Sequence, residues 1–167
     1  MTTKTHYSRI FAAFFTVIVA LTTSAFGRDA MALQIVTSPS QPIPVELTLE
    51  GLDALDQQSF ETTTIWTEGT VTFSGVSLRA LLKHLNVEGA AIELVALNDY
   101  AITIPISDLE DEVPIIATRM NGKTMSVRDK GPYWLVYPYD ADRKYRTETV
   151  YSRSIWQLNR LKLLENE

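Results

Sequence analysis

The chain has 167 residues, with 15 Lys and Arg against 20 Asp and Glu and no cysteine. That acidic balance excludes a nucleic-acid partner, since phosphate binding depends on clustered Lys and Arg, and it argues against attachment to anionic lipid. Without thiols there are no disulfide cross-links, no thiolate catalysis, no Cys-based zinc site and no iron–sulfur cluster.

Lys4 and Arg9 precede an apolar run from Ile10 to Leu21 and small residues from Thr22 to Gly27, the layout of a secretory signal peptide. The run is shorter than the ~18 apolar residues of a membrane span. Cleavage is expected before Arg28, after Ala25 and Gly27, with a second site before Leu33; the alternative is an uncleaved N-terminal anchor. Residues 1–27 are read as the signal peptide, so the mature protein is expected to be periplasmic or secreted, with no stable membrane insertion. Their removal takes Lys4, Arg9 and no acidic residue, and leaves 140 residues with 13 basic against 20 acidic side chains. That length builds one domain around a single core and leaves no room for two.

Residues 28–44 read as an extended lead-in, because Pro39, Pro42 and Pro44 fix their own φ and disfavour helix before them. The domain is expected over 45–167. Val45 to Glu50 alternates apolar and polar residues as a half-buried strand does. A short helix or turn at Leu52 to Leu55 leads into a β-prone Thr run. Thr70 to Phe73 reads as a strand, Gly75 as a turn and Ser77 as an N-cap. Leu78, Leu81, Leu82 and Leu85 then form one apolar helix face. His84 falls off that face and reads as solvated.

Ile92 to Leu97 and Ala101 to Ile106 read as two strands joined at Asn98-Asp99-Tyr100. Ser107 or Asp108 is a possible cap before an acidic stretch, which reads as a solvated face and lacks the regular spacing of a calcium loop. The apolar segment Val113 to Ala117 follows. Asn121-Gly122 is the preferred pair for a type I′ turn and can also end a helix. After Gly131-Pro132, Tyr133 to Tyr137 reads as a buried strand. The segment 149–163 reads as a last strand with Ile155, Leu158, Leu161 and Leu163 facing partly inwards. Strands and short helices mix without a βαβ rhythm, which predicts an α+β class: a single mixed domain of several small sheets with short helices.

The segments FSGVSLRALLKHL, ALNDYAITIPISDLE, IIATRMNGKTMSVRDKGPYWLVYP and SIWQLNRLKL, in that order, resemble the molybdopterin-binding domain of the sulfite oxidase-type oxidoreductases, specifically its small exported relatives. The resemblance spans roughly Thr62 to Leu163. It implies a mixed α+β fold that holds molybdopterin and, in full-length enzymes, performs two-electron oxygen-atom transfer on a metal held by a cysteine thiolate. The matching region upstream of the GVSL helix, SFETTTIWTEGTVTF, carries Thr and Trp and no Cys, so soft thiolate ligation of molybdenum has no donor here.

The resemblance makes Gly131-Pro132 a close-approach corner and places Trp134 to Tyr137 under a pocket rim. Trp66, Asp99, Tyr100, Arg119, Asn121, Lys130 and Trp134 are the candidate ligand- or cofactor-binding residues, although Trp134 and Tyr137 read first as plain core aromatics. Arg119 would orient a small anionic group through its planar fork. No metal ligand and no catalytic residue is assigned. The leading expectation is an exported small-molecule or cofactor-binding protein without the family's oxygen-atom transfer. One alternative is a genuine molybdopterin oxidoreductase or subunit, its cofactor phosphate held by Arg119, Arg128, Lys130 and Arg153. Another is a periplasmic sensor module with a protein partner. A hydrolase lacks both the G-x-S-x-G elbow and the H-E-x-x-H helix.

Overall fold

The structure is a computed structural model that describes residues 31–37 and 44–165. The signal peptide read in residues 1–27 lies outside these residues, as do residues 28–30 and 38–43 of the lead-in. Among the described residues no helix is long and apolar enough to cross a membrane.

Among the described residues ten strands form two sheets. In the first, β1 (Leu33–Val36) lies between β2 (Val45–Leu47) and β10 (Leu158–Leu164), and β10 continues through β5 (Ala91–Ala96) to β6 (Ala101–Pro105). The second runs β3 (Gln57–Thr63), β4 (Thr70–Ser77), β7 (Ile115–Met120) and β8 (Lys123–Thr124), with β9 (Trp134–Val136) also paired to β7. Three short helices join them: α1 (Leu49–Asp53), α2 (Leu78–His84) and α3 (Glu148–Arg153). The mixed α+β class is therefore as the sequence predicts.

The second sheet is buried on both faces at its centre, while its outer strands β3 and β8 are largely exposed. In β4, Val71 and Phe73 face a smaller core and Val76 faces the larger one. In β7, Ile115 and Ala117 divide from Ile116 in the same way, and in β9 Trp134 and Val136 divide from Leu135. A strand covered on both sides has no solvent face to advertise, which is why Ile115 to Ala117 and Tyr133 to Tyr137 read as continuous apolar runs. In the first sheet, Leu158, Leu161 and Leu163 of β10 are buried, as is Ile155 just ahead of it.

Several local readings shift. Part of the segment set apart as a lead-in is inside the sheet: β1 pairs with β2 and β10 and buries Leu33 and Ile35. The strand expected to run to Glu50 stops at Leu47, because Thr48 caps α1 by accepting the Gly51 N–H, so the helix starts three residues before Leu52. Gly75 is not a turn; it sits within β4 at a register irregularity, where an added Cβ would lie 2.0 Å from the Ile116 carbonyl oxygen. Residues 148–153 form α3 and only 158–164 form the final strand, since Thr147 accepts the Val150 N–H and starts a helix. The Asn121-Gly122 pair closes the β7–β8 hairpin with both residues at positive φ (51° and 74°), as the I′ reading requires.

Candidate functional site

The aromatic residues converge on a cleft of about 270 Å³ between the β5–β6 turn, the end of α3 and the β3–β4 loop. The turn contributes Ala96, Asn98 and Tyr100, the loop contributes Trp66, the last turn of α3 contributes Tyr151 and Ser152, and the run after it contributes Ser154 to Trp156. Trp66 is the hub. Its ring lies 5.7 Å from Trp156 and 5.9 Å from both Tyr151 and Trp134, each in an edge-to-face arrangement. Such pairs hold one another beyond the area they bury, and a half-buried Trp66 packs against both cores at once.

The positions of these rings follow from specific local bonds. Thr64 accepts the Trp66 N–H at 3.0 Å and its hydroxyl meets that of Thr67 at 2.8 Å. The preceding threonines clamp this loop to the chain after β9: Thr63 donates its backbone N–H and hydroxyl to Asp140 at 2.6 and 3.0 Å, and Asp140 returns its own N–H to Thr62. Those Thr63 bonds, with Arg146 alongside, hold the Asp140 carboxyl below the usual carboxylate range. Trp134 donates its indole N–H to the Ser154 carbonyl at 3.3 Å. The Ser154 hydroxyl accepts from Tyr139 at 2.6 Å and donates to the Val150 carbonyl. Burial pushes the Tyr139 phenol far above its ordinary value.

The rim is set by unusual backbone. Asp99 (φ 63°), Lys130 (φ 70°) and Gln157 (φ 52°) are in the left-handed region without being glycine. Asp99 turns the chain so that Tyr100 faces the cleft, where its hydroxyl donates to the Ser152 carbonyl at 3.3 Å. Gln157 directly follows Trp156. Non-glycine residues in this region cluster where surrounding structure over-determines them, often at binding sites.

Of the seven residues named from sequence, Trp66 and Tyr100 line the cleft and Trp134 lies fully buried beneath its indoles. Asp99 forms the adjoining turn, and the Lys130 ammonium sits 5.9 Å from the Trp134 ring centroid. Arg119 and Asn121 are not part of the lining. Arg119 makes a two-pronged ion pair with Asp53, and Asn121 accepts the Thr72 N–H at 2.9 Å as part of the hairpin. Arg153 pairs with Asp108 at 2.8 Å, so the basic residues suggested for a phosphate do not converge. The cleft walls from Tyr151, Ser152 and Trp156 were missed. Trp156 stood in the SIWQLNRLKL segment, but nothing local distinguished it from a core residue.

The family described as Oxidoreductase molybdopterin binding domain matches residues 33–141. No curated protein matches the chain. Among solved structures, the chain is similar to the sulfane dehydrogenase SoxCD from Paracoccus pantotrophus, at 16% identity and a TM-score of 0.57 over 81% of this chain. The match covers 38% of the SoxCD chain, so this protein corresponds to a part of that one. At this identity the likeness concerns the fold.

Proposed function

The chain belongs to the oxidoreductase molybdopterin-binding domain family, and from that premise we propose that it is an exported domain that binds a small organic molecule in the aromatic cleft and does not perform thiolate-based oxygen-atom transfer. The observation that carries the reading is a cleft walled by Trp66, Tyr100, Tyr151 and Trp156, whose rim is fixed by left-handed residues. Pre-set apolar walls with a few polar groups are the general form of a small-molecule site. Export is supported by the charged start, apolar run and small residues of the N-terminus.

The donor set does not fit a thiolate-held molybdenum centre. The chain has no cysteine, and among the described residues no three His, Cys, Asp or Glu side chains gather as a metal site. The lining of the cleft has no Arg or Lys for a cofactor phosphate, and Arg119 and Arg153 are each committed to a carboxylate elsewhere. No reaction step is therefore assigned to this protein.

Purification of the full chain from its own host, followed by metal analysis and mass spectrometry of denatured material, tests the reading. The expected result is a released organic molecule, or a free cleft that binds one, with molybdenum far below one equivalent. Stoichiometric molybdenum with pterin would overturn it.

A further inference from the structure

The rings that wall the cleft stand across one another. The Trp66 plane meets that of Trp156 at 67° and that of Tyr151 at 82°, with centroids 5.7 and 5.9 Å apart. Tyr100 joins them from the β5–β6 turn, its hydroxyl tied to the Ser152 carbonyl at 3.3 Å. Crossed planes leave a box for a rounded group, where parallel planes would leave a slot for a flat one. Aromatic faces carry negative charge density, so a box of them draws a cation to within ~6 Å of several rings at once. The fold already holds one cation this way: the Lys130 ammonium lies 5.9 Å from the Trp134 ring centroid, outside the lining. The charges around the cleft have the same preference. No Lys, Arg or His lines it, and Arg153, which follows Ser152, is paired with Asp108 at 2.8 Å. Asp99 stands between the lining residues Asn98 and Tyr100, exposed and without an ion-pair partner among the described residues. The chain carries 20 acidic against 15 basic side chains, and that field favours a cation further.

The polar lining decides which cation. A primary ammonium brings three N–H donors that each need an acceptor. The Asn98 carbonyl oxygen is spent on the Tyr100 N–H at 3.2 Å, and the Ser154 hydroxyl is satisfied by Tyr139 and Val150. The hydroxyl oxygens of Ser152, Tyr100 and Tyr151 can accept, but no carboxylate is among the lining groups to replace the ammonium's water. A quaternary ammonium has no N–H to satisfy, and its methyl groups pack directly on the rings. The volume of about 270 Å³ is at the small end of ligand pockets, which suits one such head group.

We infer that the cleft takes a small quaternary ammonium group, of the trimethylammonium type, held among Trp66, Tyr100, Tyr151 and Trp156 with Asp99 supplying negative charge at the mouth. This rests on the reading of the cleft as a small-molecule site and narrows it to one chemical class.

Titration of the protein purified from its own host, followed by tryptophan fluorescence and calorimetry, tests the class with four probes. They are choline, its uncharged carbon isostere with tert-butyl in place of trimethylammonium, ethanolamine and benzoate. Choline is expected to bind saturably and at least about tenfold more tightly than the other three, a margin within what cation–π contacts to several rings supply. Trp156→Leu and Tyr100→Leu keep apolar bulk at two exposed positions and remove a ring. Each should weaken choline about fivefold or more and leave any binding of the isostere within about twofold. Trp156→Phe keeps a ring and should lose less than Trp156→Leu. Equal losses for choline and isostere would show that the walls act as apolar surface alone, which overturns the class. Equal or tighter binding of the isostere, ethanolamine or benzoate would also overturn the class and leave the small-molecule site standing. So would release of an uncharged or anionic molecule from natively purified protein. If no probe binds and native material carries nothing, the class and the binding function fall together.

Discussion

The backbone N–H of Gln157 donates to the carbonyl of Lys130 at 2.9 Å, and both residues are left-handed, at φ 52° and 70°. Each such residue costs about 1–2 kcal/mol relative to ordinary backbone. The fold tolerates the pair because it is tied from both sides. Gln157 also donates its side-chain amide to the Val127 carbonyl at 2.8 Å, and Lys130 ends the short turn Val127–Asp129 just before the Gly131 corner. The bond links the loop after β8 to the residue that follows Trp156, so the strain is spent on fixing an indole at the cleft.

Substitution at Lys130 separates backbone from side chain. Lys130→Gly removes the left-handed penalty and the ammonium near Trp134, two effects of about 1 kcal/mol that oppose each other, so its urea midpoint should stay close to the parent's. Lys130→Val places a β-branched residue where φ is 70° and should lose about 2 kcal/mol. Equal midpoints for the Gly and Val variants would show that the left-handed turn is not what the fold requires there.

Gly131 answers a different constraint. A Cβ at this position would lie 2.0 Å from the backbone oxygen of Met125, and no side chain can rotate to relieve it. Gly131→Ala should therefore lose about 3 kcal/mol or more in denaturant unfolding. Gly69 is the control: it has φ 64° with nothing within 4 Å of an added Cβ. Gly69→Ala should cost only the backbone penalty of about 1 kcal/mol. A Gly131→Ala variant as mild as Gly69→Ala would mean that the corner is not a close approach.

What the sequence disclosed about this fold depended on whether the signal was local. Ser77 before Leu78, Leu81 and Leu82 and the Asn121-Gly122 pair are each dictated by neighbours along the chain, and each is found, as is the Gly131 close approach that the resemblance implied. Gly75 misled because its need for a missing Cβ comes from Ile116, some forty residues away, and turn propensity cannot report that. The Thr run was read only as β-prone, whereas Thr62 and Thr63 grip Asp140 across the domain. The cleft was half legible for the same reason. Tyr100 follows a recognisable turn and Trp66 stands in a polar loop, yet Tyr151 and Trp156 join them only through tertiary packing, and Arg119 is claimed by Asp53 from α1.

The Asp53–Arg119 pair predicts an acid-labile contribution to stability. The hydrogen bond from Arg119 holds the Asp53 carboxyl below its usual range, despite some opposing desolvation. The folded state then binds this proton less tightly than the unfolded chain, whose carboxylate titrates near pH ~4. The contribution is fully present above that pH and is lost as pH falls through the lower folded value. Asp53→Asn should be destabilised by a constant amount at neutral pH, and its deficit relative to the parent should shrink below about pH 4. A deficit unchanged down to acid unfolding would place the effect in packing instead of charge.

Tyr133 makes the opposite prediction at the other end of the pH scale. Its ring is wholly buried in the larger core, and its hydroxyl is shut away from solvent with no hydrogen-bond partner among the described residues. Burial, with Glu50 and Asp53 adding negative charge nearby, pushes the phenol up to about 12. Below the unfolded value of 10.0 the phenol is neutral in both states, and no titration contributes. As pH rises past that value the unfolded chain ionises first, so stability falls until the folded phenol titrates as well. An orphan hydroxyl costs about 1–3 kcal/mol while its ring packs normally. Tyr133→Phe should thus be more stable than the parent at pH ~7 by about 1 kcal/mol, and the gain should widen above pH ~10, where the parent alone loses stability. Urea midpoints at the two pH values read this directly. A destabilised Tyr133→Phe would mean that the hydroxyl is satisfied, for instance by a buried water, and that the phenol is an anchored part of the core.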